Sequence, residues 1–294
     1  MAKIGFVGLG HMGLPMAINL VKSGHIVTGY DLQAKSIHDL CENGGNQAAS
    51  LAELSHDKDF IITMLQNGGQ VIKVCDGDSG LFANASPGTT FIDCSTIDVP
   101  SSKNFHHLAN KYNFMSIDAP VSGGVAGAKS ATLTFMVGGS LDAFRVAQPI
   151  LTLMGKKIIH AGSAGCGQAA KICNNMLLGI SMIASAEAFL LGEKLGLDAS
   201  KLHEVFTNAS GKCWVIDKYV PVPNVLEAVP ANNNYQPGFT TAMMLKDLNL
   251  SQQSAKSVGL TTKLGELAQQ IYQEALNNHQ ENLDFSAIIL EKNI

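Results

Sequence analysis

The sequence predicts an α/β fold in which a doubly wound, mostly parallel sheet is followed by an all-helical domain. In the first half of the chain, short β-branched runs alternate with helical patterns, which is typical of βαβ units. Beyond Gly162, long helical periodicities follow with almost no strand signal. This change predicts a boundary there, with domains at residues 1–163 and 164–294.

Short apolar runs in the first half have the composition of strands that are buried on both faces. Five of these runs are separated by helical segments, and two later runs are expected to extend the same sheet. The predicted strands are residues 4–7, 26–30, 60–64, 91–94, 115–118, 133–137 and 158–160.

The second half is predicted to be built on helices. From residue 168 to 195, apolar and small side chains occupy nearly every face, so we expect this helix to be buried all round, inside its domain or against a second subunit. A homodimer or homotetramer is therefore expected. A proline-rich loop separates this helix from later helices at residues 241–256 and 264–277.

Composition argues against several functional classes. The formal net charge is −4 and the basic residues are scattered, so no nucleic-acid partner is expected. The six cysteines form no CxxC pair and the nine histidines are dispersed, so we expect reduced thiols and no metal site. The longest apolar stretch, residues 176–186, is shorter than the ~20 residues that cross a bilayer. A strand at Ile4 leaves no room for an export signal, so a soluble, cytoplasmic protein without a membrane partner is expected.

A glycine-rich turn follows the first predicted strand. Residues 8–13 read Gly-Leu-Gly-His-Met-Gly and open a predicted helix, which is the context of the dinucleotide-binding fingerprint of a Rossmann-type domain. Gly8 permits the tight turn, Gly10 lets the backbone approach a pyrophosphate, and Gly13 lets the helix pack closely. The residues expected to contact the dinucleotide are Gly8, Leu9, Gly10, His11, Met12 and Gly13.

Asp31 ends the second predicted strand, 18 positions after Gly13. An acidic residue there accepts hydrogen bonds from a ribose 2′-hydroxyl and repels a 2′-phosphate, which favours NAD over NADP. Lys35 leaves NADP open, and FAD uses the same fingerprint, so only the rest of the chain distinguishes these cofactors.

Ser122, Gly123 and Gly124 follow the strand at residues 115–118, at the sheet edge where open α/β folds bind ligands. The hydroxyl of Ser122 and the unobstructed N–H groups of the two glycines suit a small carboxylate. Taken alone, the same residues are equally typical of a plain turn.

Lys171 and Asn175 are four residues apart on the long apolar helix and therefore share a face. A lysine in such a helix is costly unless it is paired or its pKa is lowered, and a lowered pKa suits a proton-transfer group. The alternative is a lysine that extends its ammonium group to solvent. The neighbouring asparagines favour the proton-transfer interpretation.

These three blocks, in this order and at these separations, resemble the β-hydroxyacid dehydrogenase family, and the resemblance covers essentially the whole chain. It is closest to the members that oxidise 3-hydroxyisobutyrate, on the basis of residues 118–124, 133–139, 167–178, 210–214, 221–223 and 233–236. It implies that Lys171 is the catalytic acid/base. It implies substrate contacts from Ser122, Gly123, Gly124 and Asn175, and cofactor contacts from Leu65, Gln66, Thr96 and Lys246. The sequence departs from the family at residues 66–69, Gln-Asn-Gly-Gly, because proline follows the leucine in many relatives.

The implied reaction is NAD-dependent oxidation of 3-hydroxyisobutyrate to methylmalonate semialdehyde in valine catabolism, with Lys171 accepting the hydroxyl proton. Asp247 is the expected partner of Lys246 over the cofactor. Trp214 and Phe239 are candidate walls of the substrate pocket, with core packing as the equal alternative. Two other functions stay open: a related enzyme such as a tartronate semialdehyde reductase, and a non-catalytic NAD-sensing protein.

Overall fold

The computed structural model describes residues 1–291. The chain packs as two compact units, Met1–Lys171 and Ile172–Ile294. All the strands lie in the first unit, and residues 172–291 form helices and loops. The predicted fold class is therefore confirmed.

The strands of the first unit form one nine-stranded sheet. All seven predicted strands are present, and the two that the prediction missed, β3 and β7, are only two residues long. The strands are β1 (Lys3–Val7), β2 (Ile26–Tyr30), β3 (Asn46–Gln47), β4 (Phe60–Thr63), β5 (Thr90–Asp93), β6 (Met115–Asp118), β7 (Val121–Ser122), β8 (Leu133–Gly139) and β9 (Gly155–Gly162).

The sheet has the strand order of a Rossmann fold. Strands β3-β2-β1-β4-β5-β6 are adjacent in that order and all parallel. Beyond them β8 runs antiparallel to β6 and pairs with both β7 and β9. The chain order reverses between β1 and β4, so a ligand crevice is expected at the carboxyl ends of these two strands.

Helices connect the strands and form the second unit. Three of them were predicted with bounds, at residues 168–195, 241–256 and 264–277, and these bounds agree with the observed ones to within two residues. The helices are α1 (Gly13–Lys22), α2 (Ala34–Glu42), α3 (Leu51–Ser55), α4 (Gly68–Cys75), α5 (Leu81–Asn84), α6 (Val99–Lys111), α7 (Gly124–Lys129), α8 (Leu141–Leu151), α9 (Cys166–Lys194), α10 (Ala199–Asn208), α11 (Trp214–Lys218), α12 (Thr241–Ser257) and α13 (Lys263–Asn277).

The sheet is buried on both faces, as its continuous apolar runs predict. Neighbouring residues of a strand point to opposite sides, so Phe6 and Ile62 join one apolar cluster while Val7 and Ile61 join the other. Both clusters are built from fully or nearly fully buried side chains. The carboxyl ends of the strands are therefore held in place by packed side chains on both faces of the sheet.

Helix α9 contributes Met182 and Ala186 to the core of the second unit, together with residues of α12 and α13. It is the one described helix that is long and apolar enough to cross a membrane, a test that core helices of soluble proteins also pass. Within this chain α9 is not buried all round, because Leu177 and Leu191 are 64% and 61% exposed, and its burial against a second subunit stays a prediction. The apolar composition of every face of α9 did not indicate which faces pack against other residues of this chain.

Asp93, at the end of β5, is a fully buried carboxyl group. Its Oδ1 accepts hydrogen bonds from Thr63 Oγ1 at 2.8 Å and from the Ser95 N–H at 3.2 Å. Oδ2 is buried and has no hydrogen-bond partner among the described residues. Burial, with a smaller contribution from the charge of Asp118, raises the pKa of Asp93 to about 6.

We predict that Asp93→Asn stabilises the protein at neutral pH. The pKa of this carboxyl is raised in the folded state, so its contribution to the free energy of unfolding is full below about pH 4 and is lost as pH rises to about 6. Asparagine does not ionise, so the variant does not lose stability in this way. Its free energy of unfolding therefore exceeds that of the wild type by an amount that grows across this pH window, to at most about 3 kcal/mol. Thermal unfolding midpoints measured against pH test this. A difference in unfolding midpoint between variant and wild type that stays constant across this pH window contradicts the prediction. Asp142→Asn, at an exposed position on α8, is the control.

Candidate active site

The glycine turn between β1 and α1 has the shape that a bound pyrophosphate requires. Gly8 has a φ of +92°, and a Cβ there would lie 2.3 Å from the Met64 carbonyl oxygen. At Gly13 a Cβ would lie 1.9 Å from the Gly8 carbonyl oxygen. No described atom lies within 4 Å of where a Cβ of Gly10 would be. Two glycines therefore close the turn, and the third leaves open space beside the backbone.

Asp31 follows β2 and lies directly against this turn. Its Oδ2 accepts the Leu9 N–H at 2.6 Å, and its Oδ1 accepts the Gln33 N–H at 2.8 Å. The two backbone donors hold the carboxylate in one orientation, and each oxygen keeps a lone pair for a further donor. This is the arrangement that a ribose diol requires, so the residues present fit a dinucleotide.

The loop after β4 is held by side chains on both sides. The Leu65 N–H donates to Ser95 Oγ at 2.8 Å, and the Gln66 N–H donates to Gln70 Oε1 at 3.1 Å. Asn67 caps α4, since its Oδ1 accepts the Gln70 N–H at 2.9 Å. Asn67, which directly follows Gln66, therefore begins α4 as its cap. Because Gly8 lies against Met64, this loop adjoins the glycine turn.

The start of α9 is fixed by a buried carboxylate at the end of β6. Asp118 accepts the N–H groups of Gly165 and Gln168, each at 2.9 Å. His106 Nε2 lies 2.8 Å from the same carboxylate, and its Nδ1 lies 2.8 Å from Ser116 Oγ. Asp118 thus serves as the cap that the first turn of α9 needs.

Gln168 is a buried polar side chain in this first turn of α9. Its Oε1 accepts the Ile97 N–H at 3.0 Å, and its Nε2 donates to the Ser95 carbonyl oxygen at 2.7 Å. Thr96, a predicted cofactor contact, lies between the two bonded residues. The sequence analysis did not identify Gln168 or Ser95, although a glutamine in an apolar helix beside Gly167 is itself a signal.

The Ser122 turn is formed by β7 and the start of α7. Gly123 and Gly124 have φ values of +137° and +61°, which glycine adopts readily. No described atom lies within 4 Å of where a Cβ of Gly124 would be. The missed strand β7 therefore places Ser122 in a ladder with Thr134 of β8, and of the two glycines that follow only Gly124 has open space beside it.

Lys171 is 8% exposed, and Asn175 is buried one turn further along α9. Asn175 Nδ2 donates a hydrogen bond to Asp247 Oδ2. Asp247 Oδ1 also lies 3.8 Å from Lys246 Nζ, whose side chain is partly exposed. Asp247 is thus the residue that orients the Asn175 amide, a contact that the sequence analysis did not foresee.

Trp214 and Phe239 both belong to the second unit. Trp214 is 52% exposed and stacks on Tyr219 with 5.2 Å between ring centroids. Phe239 is partly buried and packs against Phe285 at 5.7 Å. Trp214 therefore presents half of its surface outward. Among residues 1–291, no group of three or more His, Cys, Asp and Glu side chains is placed to hold a metal ion.

Both parts of the chain match known family models. Residues 3–162 match the NAD-binding domain of 6-phosphogluconate dehydrogenase. Residues 165–291 match a model described as "NAD-binding of NADP-dependent 3-hydroxyisobutyrate dehydrogenase".

Similar proteins agree with these matches along the full chain. The mitochondrial 3-hydroxyisobutyrate dehydrogenases of Mus musculus and Homo sapiens are 45% identical over 285 residues, 97% of this chain and 85% of theirs. The structure of Mycobacterium tuberculosis 3-hydroxyisobutyrate dehydrogenase, solved with L-serine, matches with a TM-score of 0.94 at 45% identity over 100% of both chains. A 3-hydroxyisobutyrate dehydrogenase structure from Salmonella typhimurium matches with a TM-score of 0.83 at 27% identity over 99% of both chains. The chain therefore belongs to the 3-hydroxyisobutyrate dehydrogenase family of NAD-dependent oxidoreductases.

Proposed function

We propose that this protein oxidises 3-hydroxyisobutyrate to methylmalonate semialdehyde with NAD, as a step of valine catabolism, and that Lys171 is the general acid/base. The observation that carries the proposal is the burial of Lys171 on α9, one turn before Asn175. A buried amine beside a buried asparagine suits proton transfer to and from a substrate hydroxyl.

Residues of the first unit are proposed to hold the cofactor. The turn at residues 8–13 binds the pyrophosphate through backbone N–H groups, and Asp31 accepts the ribose hydroxyls. Further contacts come from the loops after β4 and β5 and from α12. These contacts are assigned to Leu65, Gln66, Thr96, Lys246 and Asp247. When bound, NAD supplies the nicotinamide C4 that takes up hydride.

Lys171 moves the proton in the proposed mechanism. In the oxidation direction its neutral Nζ accepts the hydroxyl proton as the hydrogen on the same carbon leaves as hydride, which forms the carbonyl group. In reduction the ammonium group returns the proton. Asn175, held by Asp247, orients the hydroxyl or carboxylate oxygen. Ser122 and the N–H groups of Gly123 and Gly124 bind the carboxylate.

The second unit is proposed to complete the enzyme and its assembly. We assign cofactor binding to residues 1–163 and substrate binding and oligomerisation to residues 164–294. Exposed Leu177 and Leu191 on α9 support a homodimer or homotetramer, since apolar side chains in one row on a helix favour a second copy. Trp214 and Phe239 are assigned to the wall beside the substrate methyl group, and the compartment is proposed to be the cytoplasm.

The substrate assignment is tested with a panel of 3-hydroxy acids of three to five carbons, each assayed with NAD and NADP. We expect 3-hydroxyisobutyrate with NAD to give the highest kcat/KM. Equal or better turnover of glycerate would favour a tartronate semialdehyde reductase instead.

We predict that Lys171→Ala abolishes nearly all turnover and leaves NADH binding nearly intact. Loss of a general acid/base costs about 10²–10⁴-fold in kcat. The measurements are kcat and the NADH dissociation constant by fluorescence titration. Lys194→Ala, at the exposed end of the same helix, is the matched control and is expected to behave as the wild type. Turnover retained in Lys171→Ala would reject the acid/base role. The NAD-sensing alternative would be favoured only by a wild-type protein that binds NADH and turns over no acid of the panel.

We predict that Asp31→Asn lowers the preference for NAD over NADP by about tenfold, because removal of the charge removes repulsion of a 2′-phosphate. The ratio of kcat/KM values for the two cofactors is the measurement. If the substitution only disturbs the backbone near Leu9, kcat/KM falls equally for NAD and NADP and their ratio is unchanged. Asp142→Asn removes an equal charge from an exposed position as the control. An unchanged ratio in Asp31→Asn would contradict the prediction.

A further inference from the structure

Gln168 connects the start of α9 to the loop that follows β5. The two amide atoms of this side chain are both used, since Oε1 accepts the Ile97 N–H and Nε2 donates to the Ser95 carbonyl oxygen. The side chain is fully buried, so solvent does not compete for these bonds. A buried amide with both partners in one loop fixes that loop relative to its helix.

The backbone of Gln168 is fixed as well. Its N–H donates to Asp118 at the end of β6, which also accepts the Gly165 N–H. The first turn of α9 is therefore attached to the carboxyl ends of two adjacent strands, β5 through its loop and β6 directly. Rotation or translation of this turn would break several buried hydrogen bonds together.

Lys171 follows Gln168 by three residues, so the two side chains are neighbours on the surface of α9. Thr96 lies between the two residues that Gln168 binds. We propose that Gln168 is a positioning residue that sets Lys171 against the cofactor-binding loop at Thr96. This inference rests on the proposed function, because it takes Lys171 as the acid/base and Thr96 as a cofactor contact.

The chemistry explains why such a connection matters. Hydride and proton leave the same carbinol group, so the cofactor and the lysine must both be aligned with one substrate molecule. A misplacement of about 1 Å costs on the order of a hundredfold in rate. The glycine turn and Asp31, which are proposed to bind the pyrophosphate and the ribose, lie outside the described hydrogen bonds of Gln168, so nucleotide affinity is expected to change less than kcat.

The test uses two substitutions in the full-length protein. Gln168→Met keeps the length of the side chain and removes both hydrogen bonds. Gln168→Glu keeps an acceptor for the Ile97 N–H and, because burial favours the protonated carboxyl, an O–H donor for the Ser95 carbonyl oxygen. We expect kcat to fall about ten- to a hundredfold in the methionine variant and less in the glutamate variant. The NADH dissociation constant is expected to stay within about twofold. The deuterium isotope effect on kcat/KM, with substrate labelled at the carbinol carbon, is expected to rise.

Asn232→Ala is the matched control. Asn232 accepts the Asn224 N–H and donates to the carbonyl oxygens of Leu226 and Glu227, so its loss removes a comparable set of bonds from a loop of the second unit. We expect a lower unfolding midpoint with kcat and the isotope effect unchanged.

Two results overturn the inference. One is a Gln168→Met enzyme that is less stable but has wild-type kcat, which assigns Gln168 to folding alone. The other is NADH affinity that falls in proportion to kcat, which assigns it to nucleotide binding. If the methionine variant does not fold, the same criteria apply to Gln168→Glu. Turnover retained in Lys171→Ala is a separate outcome that removes the acid/base role assigned to Lys171 in the proposed function, whatever the Gln168 variants show.

Discussion

The buried carboxylate of Asp118 is the constraint on which the arrangement of the first unit depends. It accepts two N–H groups from the first turn of α9 and contacts His106, so a charge taken out of water is compensated by three donors. Removing one of these donors leaves a buried oxygen of the carboxylate unsatisfied, which is destabilising. The sheet approaches the helix so closely that a Cβ at Gly138 of β8 would lie 2.7 Å from the Gly167 backbone nitrogen, and one at Gly167 would lie 2.4 Å from the Met136 carbonyl oxygen.

The loop after β5 connects the loop after β4 to the first turn of α9. Ser95 is used twice, because its hydroxyl oxygen accepts the Leu65 N–H and its carbonyl oxygen accepts the Gln168 amide. Leu65, a predicted cofactor contact, and α9, the helix that carries Lys171, are thus connected through Ser95 in the loop after β5. Most of these contacts involve backbone groups, so the geometry belongs to the fold more than to any single long side chain.

The sequence predicted the elements whose signal is local. Strands β1, β4 and β5 were found because a strand buried on both faces must be apolar throughout. The two-residue strands β3 and β7 were missed because they are too short to show any periodicity. The long helix α9 was found, but its exposed Leu177 shows that composition cannot distinguish a face that is buried within this chain from one that is exposed.

The sequence by itself determined the fold class, the glycine turn, Asp31 and the family, since each depends on residue types at fixed short spacings. Tertiary structure alone decided how the site is held. Gln168 and Ser95 are 73 residues apart in the chain, and Asn175 and Asp247 are 72 apart, so no local pattern connects them. These partners become visible only when packing brings distant polar groups together, because a buried polar group must be satisfied wherever the fold provides a partner.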